Sequence, residues 1–103
     1  MNIAKMLKEA QRMQERMAEA QSGLASRTVE ASTGGGKVRV TATAAGDLTS
    51  IKIDPQVVDP ADVEMLEDLV LSAVRQVLED AKKIAGDEMG KLTGGIKIPG
   101  LTA

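Results

Sequence analysis

The sequence predicts an α+β protein with the element order α-β-β-β-α in two layers. Two long segments, one at the start of the chain and one after residue 59, carry apolar residues at the three- and four-residue spacings of an amphipathic helix. Between them, apolar and polar residues alternate in three short runs separated by glycine-containing turns, which is typical of an antiparallel meander. The simplest packing places both helices against the apolar face of this sheet.

The first helix is predicted over residues 2–24, because an apolar seam repeats there at alternating spacings of three and four residues. The seam consists of Ile3, Met6, Ala10, Met13, Met17, Ala20 and Leu24. So narrow a seam suits packing against another helix, within the chain or across a dimer, and Gly23 is expected to end the helix. Because a small core without aromatic residues gains from a partner surface, we expect Met6, Met13 and Met17 to lie in a dimer interface.

The three predicted strands occupy residues 25–54 and form a meander with one apolar and one polar face. Turns are expected at residues 33–36, which include three consecutive glycines, and at residues 45–47. The triple glycine superficially resembles a phosphate-binding loop. Such a loop needs Gly-Lys-Ser/Thr leading into a helix, whereas Lys37 opens a strand, so a hairpin turn is the favoured interpretation.

The second long helix is predicted to open at Asp59 and Pro60, as N-cap and first helical residue, and to end at Gly86 or Gly90. Its apolar stripe is expected to comprise Val63, Leu66, Val70, Val74 or Val77, Ala81 and Ile84. A glycine-rich tail follows at about residues 90–103, with enough apolar residues to dock on some surface, which the sequence does not identify. We expect residues 1–103 to form one domain.

The composition argues against an enzyme. The 103 residues include no Cys and no His, so disulfides, thiolate or histidine metal sites and the usual general base are excluded. The acidic pairs Glu67–Asp68 and Glu79–Asp80 are adjacent on a helix and point about 100° apart, so neither pair converges on a substrate. We therefore expect no catalytic residues, metal, cofactor or small-molecule substrate. No apolar run is long enough to span a membrane, and we expect a cytoplasmic protein.

The charge is unevenly distributed along the chain. The net charge is −2, but residues 54–80 carry eight acids against Arg75 alone, a balance of −7, which leaves +5 for the rest. A locally positive region can bind phosphates even in an acidic chain, because salt screens each charge within about 8–10 Å. Since the chain has no Phe, Tyr or Trp with which to stack on unpaired bases, any nucleic acid bound should be a duplex.

Two groups of basic residues are candidates for such binding. The first group, on helix one, falls within about 80° of arc, well away from the apolar seam, and comprises Lys5, Lys8, Arg12 and Arg16. The second group lies near the chain's end and comprises Lys82, Lys83, Lys91 and Lys97. The alternative is an ordinary solvated helix, in which Lys5–Glu9, Arg12–Glu15 and Arg16–Glu19 form local ion pairs.

Four segments of the chain, in order, resemble the YbaB/EbfC family. They are residues 2–11 (NIAKMLKEAQ), 51–55 (IKIDP), 65–70 (MLEDLV) and 90–95 (GKLTGG). The resemblance implies an α-β-β-β-α protomer and an intertwined, tweezer-like homodimer. It also implies a bacterial, nucleoid-associated function in binding double-stranded DNA, with gene-regulatory roles in some members.

DNA contact in that family is attributed mainly to the two long helices, near the tips of the tweezers. The matching positions here are Lys5, Lys8, Arg12, Arg16, Lys82, Lys83 and Lys91. The competing hypothesis is a dimeric protein-interaction module without nucleic-acid binding, whose acidic helix or apolar tail contacts another protein.

Overall fold

The computed structural model describes residues 2–92 and contains two helices and three strands in the predicted order. The elements are α1 (Ile3–Ser26), β1 (Thr28–Thr33), β2 (Val38–Thr43), β3 (Leu48–Ile53), a short 3-10 helix (Pro55–Val57) and α2 (Val63–Leu92). The α-β-β-β-α prediction is therefore confirmed. The expected docking of the apolar tail concerns residues 93–103 and lies outside the described residues.

Helix α1 is slightly longer than predicted. Asn2 caps its start, with the side-chain oxygen accepting the backbone N–H of Lys5 at 3.2 Å. The prediction that Gly23 ends the helix is wrong. The helix continues to Ser26 because one interior glycine costs only about 1 kcal/mol, which the surrounding helix formers tolerate.

Helix α2 begins three residues after its predicted first residue. Asp59 and Pro60 lie in a preceding turn, in which the Asp59 carboxylate accepts the N–H of Ala61 at 2.9 Å. The cap is Asp62, whose carboxylate accepts the N–H of Met65 at 3.2 Å. Asp59 and Asp62 can both cap a helix and lie three residues apart, so the local sequence does not indicate which of them precedes α2.

The end of α2 also differs from the prediction. The helix runs through Gly86 and Gly90 to Leu92. A glycine that ends a helix usually adopts a left-handed conformation, and neither of these glycines has a positive φ. Both are interior helical residues, so the prediction that one of them ends the helix is wrong.

The sheet is an antiparallel meander in the order β1-β2-β3. Its register aligns Val40 with Ala31 on one side and with Ile51 on the other, which confirms one apolar and one polar face. The first hairpin turn uses Gly34, Gly35 and Gly36 at φ values of 62°, 68° and 89°. The triple glycine thus makes a hairpin turn, as predicted, and no helix follows it.

Helix α2 covers the apolar face over β1 and β2. The buried core comprises Leu24, Val29, Ala31, Val38, Val40, Ala42, Ala44, Val57, Ala73, Val77 and Ala81. At the end of the sheet that carries the triple-glycine turn, called the hairpin end below, the Thr33 hydroxyl donates to the Leu69 carbonyl at 2.7 Å and links β1 to α2. Small side chains, alanine and valine, dominate the core.

Helix α1 projects away from this body, so the prediction that both helices cover the sheet is wrong. Leu24, near its C-terminal end, is its one buried residue. The radius of gyration is 19.3 Å, against about 13 Å for a compact chain of this length. The predicted seam residues Met6, Met13 and Met17 are 55%, 40% and 42% exposed. Their place in a dimer interface stays a prediction.

Replacing Val40 by alanine should lower the free energy of unfolding by about 2–3 kcal/mol. Val40 is fully buried between the sheet and α2, so the change removes buried methyl groups and leaves a cavity. Urea denaturation followed by circular dichroism measures the effect. The matched control is Val58→Ala, at a residue 51% exposed, which should change stability by less than about 0.5 kcal/mol. Equal effects at both sites would contradict this core.

Candidate nucleic-acid interface

The basic residues of α1 form one exposed stripe on the projecting helix. Lys5, Lys8, Arg12 and Arg16 are all exposed. The helix places this stripe about 120° around its axis from the face that carries Leu24, and spreads it over about 16 Å. The stripe therefore faces away from the contact that anchors α1 to the body, as the sequence predicted.

The local ion pairs considered for α1 do not form. In the part of the chain that the structure describes, the ion pairs are Arg27–Glu88, Lys37–Asp54 and Lys91–Glu88. The four cations of the stripe therefore have no carboxylate partner among residues 2–92. Glu9 and Glu15 flank the stripe at its two sides, and Glu19 falls within its arc one turn beyond Arg16. The excess of positive charge therefore lies in the N-terminal part of the stripe.

The second basic group is not gathered on one face. Lys82 and Lys83 are exposed on α2 and point about 100° apart, and Lys91 points about 180° from Lys82. Lys91 Nζ also lies 3.3 Å from the Glu88 carboxylate, which offsets its charge. Lys82 and Lys83 are therefore the members of this group that can supplement the stripe, and Lys97 lies outside the described residues.

The acids that precede α2 or lie in its first turns are at the end of the body opposite α1. The first half of α2 contacts the hairpin end of the sheet through Leu69, whereas α1 joins the sheet at the start of β1. The C-terminal end of α2 lies near that junction, since Glu88 is 3.9 Å from Arg27. The acids before and early in α2 are thus separated from the stripe by the length of the sheet.

An apolar groove, which the sequence did not predict, runs between β3 and α2. Its volume is about 450 Å³, and Ile53, Leu66, Leu71 and Val74 line it. Leu71 is 48% exposed, and the neighbouring Ile51 and Leu48 on the apolar side of β3 are each 46% exposed. Strand alternation places Ile51 and Ile53 on the apolar face, whereas Leu48 reaches that face through a register shift that pairs it with Ala42. Alternation also cannot show that α2 stops short of β3.

Other kinds of site lack support in the described region. No group of three or more His, Cys, Asp or Glu among residues 2–92 is placed to hold a metal ion. No helix within that range is long and apolar enough to cross a bilayer.

The fold and the stripe together define a small, elongated α+β protein with a projecting basic helix suited to a polyanion. The chain belongs to the YbaB/EbfC DNA-binding family, which matches residues 1–96. Membership in this family confirms the resemblance drawn from the four sequence segments and the prediction of a DNA-binding protein.

Similar proteins span nearly the whole chain. A nucleoid-associated protein of Pelotomaculum thermopropionicum is 48% identical over 100 residues, covering 97% of this chain and 95% of the relative. One from Thermoanaerobacter pseudethanolicus is 52% identical over 100 residues, covering 97% and 90%. The crystal structure of an uncharacterized protein from Helicobacter pylori has a TM-score of 0.83 at 17% identity, covering 91% of this chain and 99% of that one. This structural likeness shows a shared fold.

Proposed function

We propose that the protein binds duplex DNA in the bacterial nucleoid as a homodimer and that it carries out no catalysis. The observation that supports this most directly is the α1 stripe, four exposed cations without carboxylate partners in the described chain of a DNA-binding family member. The names of its relatives, nucleoid-associated proteins, support the cellular location.

The binding rests on contacts with phosphates. Lys and Arg side chains that neutralise phosphates release condensed counterions, which drives association regardless of base sequence. The stripe forms no evident base-reading code, and its cations are spread along one helix face, as contacts with a phosphate backbone require. We therefore expect weak sequence preference.

A homodimer is supported by the uncovered apolar surface at β3. The groove and the β3 row of Leu48, Ile51 and Ile53 adjoin on one face, so a two-fold axis there places the row of one protomer against the groove of the other. The same face of a second copy of the chain can therefore cover this apolar surface. The exposed methionines of α1 lie away from the basic stripe, so contacts through them would also leave the stripe free.

The affinity for duplex DNA should fall steeply as salt increases. Between 50 and 200 mM salt we expect a loss of about 100-fold if four cations contact phosphates, and about 10⁴-fold if a dimer uses its doubled set of eight. Fluorescence anisotropy of a labelled duplex measures this dependence. A change of less than about threefold would contradict a phosphate-based mechanism.

The same titration separates DNA binding from the protein-interaction hypothesis. Because the chain contains no Trp or Tyr, absorbance at 260 nm in the purified sample reports bound nucleic acid, which must be removed first. No binding at 50 mM salt by the nucleic-acid-free protein would favour a module that contacts another protein.

A further inference from the structure

The polar face of the sheet carries two neighbouring cations at its hairpin end. Arg39 on β2 and Lys52 on β3 are directly opposite each other in the antiparallel register. Like charges at such positions repel and destabilise the pair of strands. Both side chains are exposed, and neither forms an ion pair within the described chain. An anion between them would relieve this repulsion.

The two cations line a shallow depression of about 390 Å³ beside the glycine turn. Arg39 is held there, because its Nε–H donates to the Gly36 carbonyl at 3.1 Å and leaves the terminal nitrogens of the guanidinium available. Gly36 also lines the depression. In residues 2–92, no acceptor takes the backbone N–H of Gly36, so this donor is available to an anion in the depression.

The charges around the depression favour an anion. Lys37 and Asp54 also line it and pair with each other at 3.9 Å, and Lys37 additionally donates to the Gln56 side chain. The Asp54 carboxylate accepts the Gln56 N–H at 2.9 Å, so its charge is partly satisfied. Three cations against one carboxylate leave a net charge of +2. The acid that the strands carry on this polar face is Glu30, and its cross-strand partner is Thr41 rather than Arg39 or Lys52.

We propose that this depression is a phosphate-binding site, separate from the α1 stripe. Arg39 and Lys52 clamp the phosphate oxygens from two strands, and the backbone N–H of Gly36 adds a donor. The site lies at the hairpin end of the sheet, whereas α1 joins the opposite end. The phosphate belongs either to a DNA backbone or to a free phosphorylated molecule, since both present the same oxygens.

An NMR titration of the full-length protein with pyrophosphate tests the site. We expect saturable shifts of the Gly36 amide and of the Arg39 Nε–H signal. The variant R39Q/K52Q should raise the dissociation constant at least about tenfold, because each charge-assisted contact contributes about that factor. The matched control K82Q/K83Q, which removes the same charge from α2, should bind pyrophosphate like the original protein.

Thermal melting gives an independent readout. Pyrophosphate should raise the melting temperature of the original protein and should not raise that of R39Q/K52Q. Absence of saturable shifts, or equal affinity in R39Q/K52Q, would overturn the proposal.

A short duplex then identifies the source of the phosphate. In a protein whose α1 stripe is disabled by K8E/R12E, duplex-induced shifts at Gly36 and Arg39 would assign the site to a DNA backbone. Shifts with pyrophosphate alone would assign it to a free phosphorylated molecule. If α1 of the original protein does not bind DNA, a duplex will leave its α1 signals unshifted. The pyrophosphate result does not depend on that outcome.

Discussion

The double variant Lys8→Glu and Arg12→Glu is expected to bind duplex DNA at least about 100-fold more weakly than the original protein at 100 mM salt. The change removes two of the proposed phosphate contacts from each protomer and introduces repulsion in the middle of the stripe. Both residues are exposed and form no ion pair within residues 2–92, so neither folding nor dimerisation should change. Anisotropy measures DNA binding, light scattering checks dimerisation, and circular dichroism checks folding.

Two further variants separate a local contact from a general effect of charge. The variant K82E/K83E makes the same charge change on α2 and should weaken binding less than the change on α1. Replacing Glu64 and Glu67 with Gln should leave affinity equal or slightly higher, because these acids lie at the far end of the body. If K8E/R12E binds as well as the original protein, the α1 stripe is not the DNA contact, and Lys82 and Lys83 become the candidates.

Replacing Leu71 with Asp should convert the proposed homodimer to a monomer. Leu71 lines the apolar groove between β3 and α2 and is 48% exposed, so the protomer itself tolerates a charge there, whereas a dimer contact would bury it without a partner. Light scattering should show a mass near the 10.8 kDa of one chain instead of twice that value. Binding to DNA should weaken as well, because each monomer presents a single stripe.

Ser72→Asp provides the control for this experiment. It places the same charge on the adjacent residue, which is exposed and does not line the groove, so the dimer should persist. Met13→Asp tests the other candidate surface, the seam of α1. A dimeric Leu71→Asp protein together with a monomeric Met13→Asp protein would move the interface from the β3 groove to the seam.

Most of the secondary structure follows from local patterns. The spacing of apolar residues in α1 and the alternation around Val38 and Val40 each identify their element, since side-chain direction is set by the backbone period. The boundaries were less well predicted. A helix end depends on which of several competent residues adopts the cap geometry, and Asp62 rather than Asp59 does so at the start of α2.

The candidate DNA contact was likewise predicted in part from the sequence and decided in part by the structure. Four cations recurring on one helix face are visible in the sequence, because helical geometry alone brings Lys5, Lys8, Arg12 and Arg16 together. Whether they pair with neighbouring acids depends on side-chain geometry, and the structure leaves them without ion pairs in the described region. For Lys82, Lys83 and Lys91 the same geometry disperses the charges, and Glu88 takes up Lys91.

The sequence by itself determined the order of the elements, the two faces of the sheet and the basic face of α1, all of which depend on residues close together along the chain. The tertiary structure decided that α2 alone covers the sheet and stops short of β3, and that α1 projects. It also brought Arg39 beside Lys52 and the glycine turn. These features arise from packing and register between distant segments, where the shapes of whole elements, rather than local periodicity, determine which surfaces are buried.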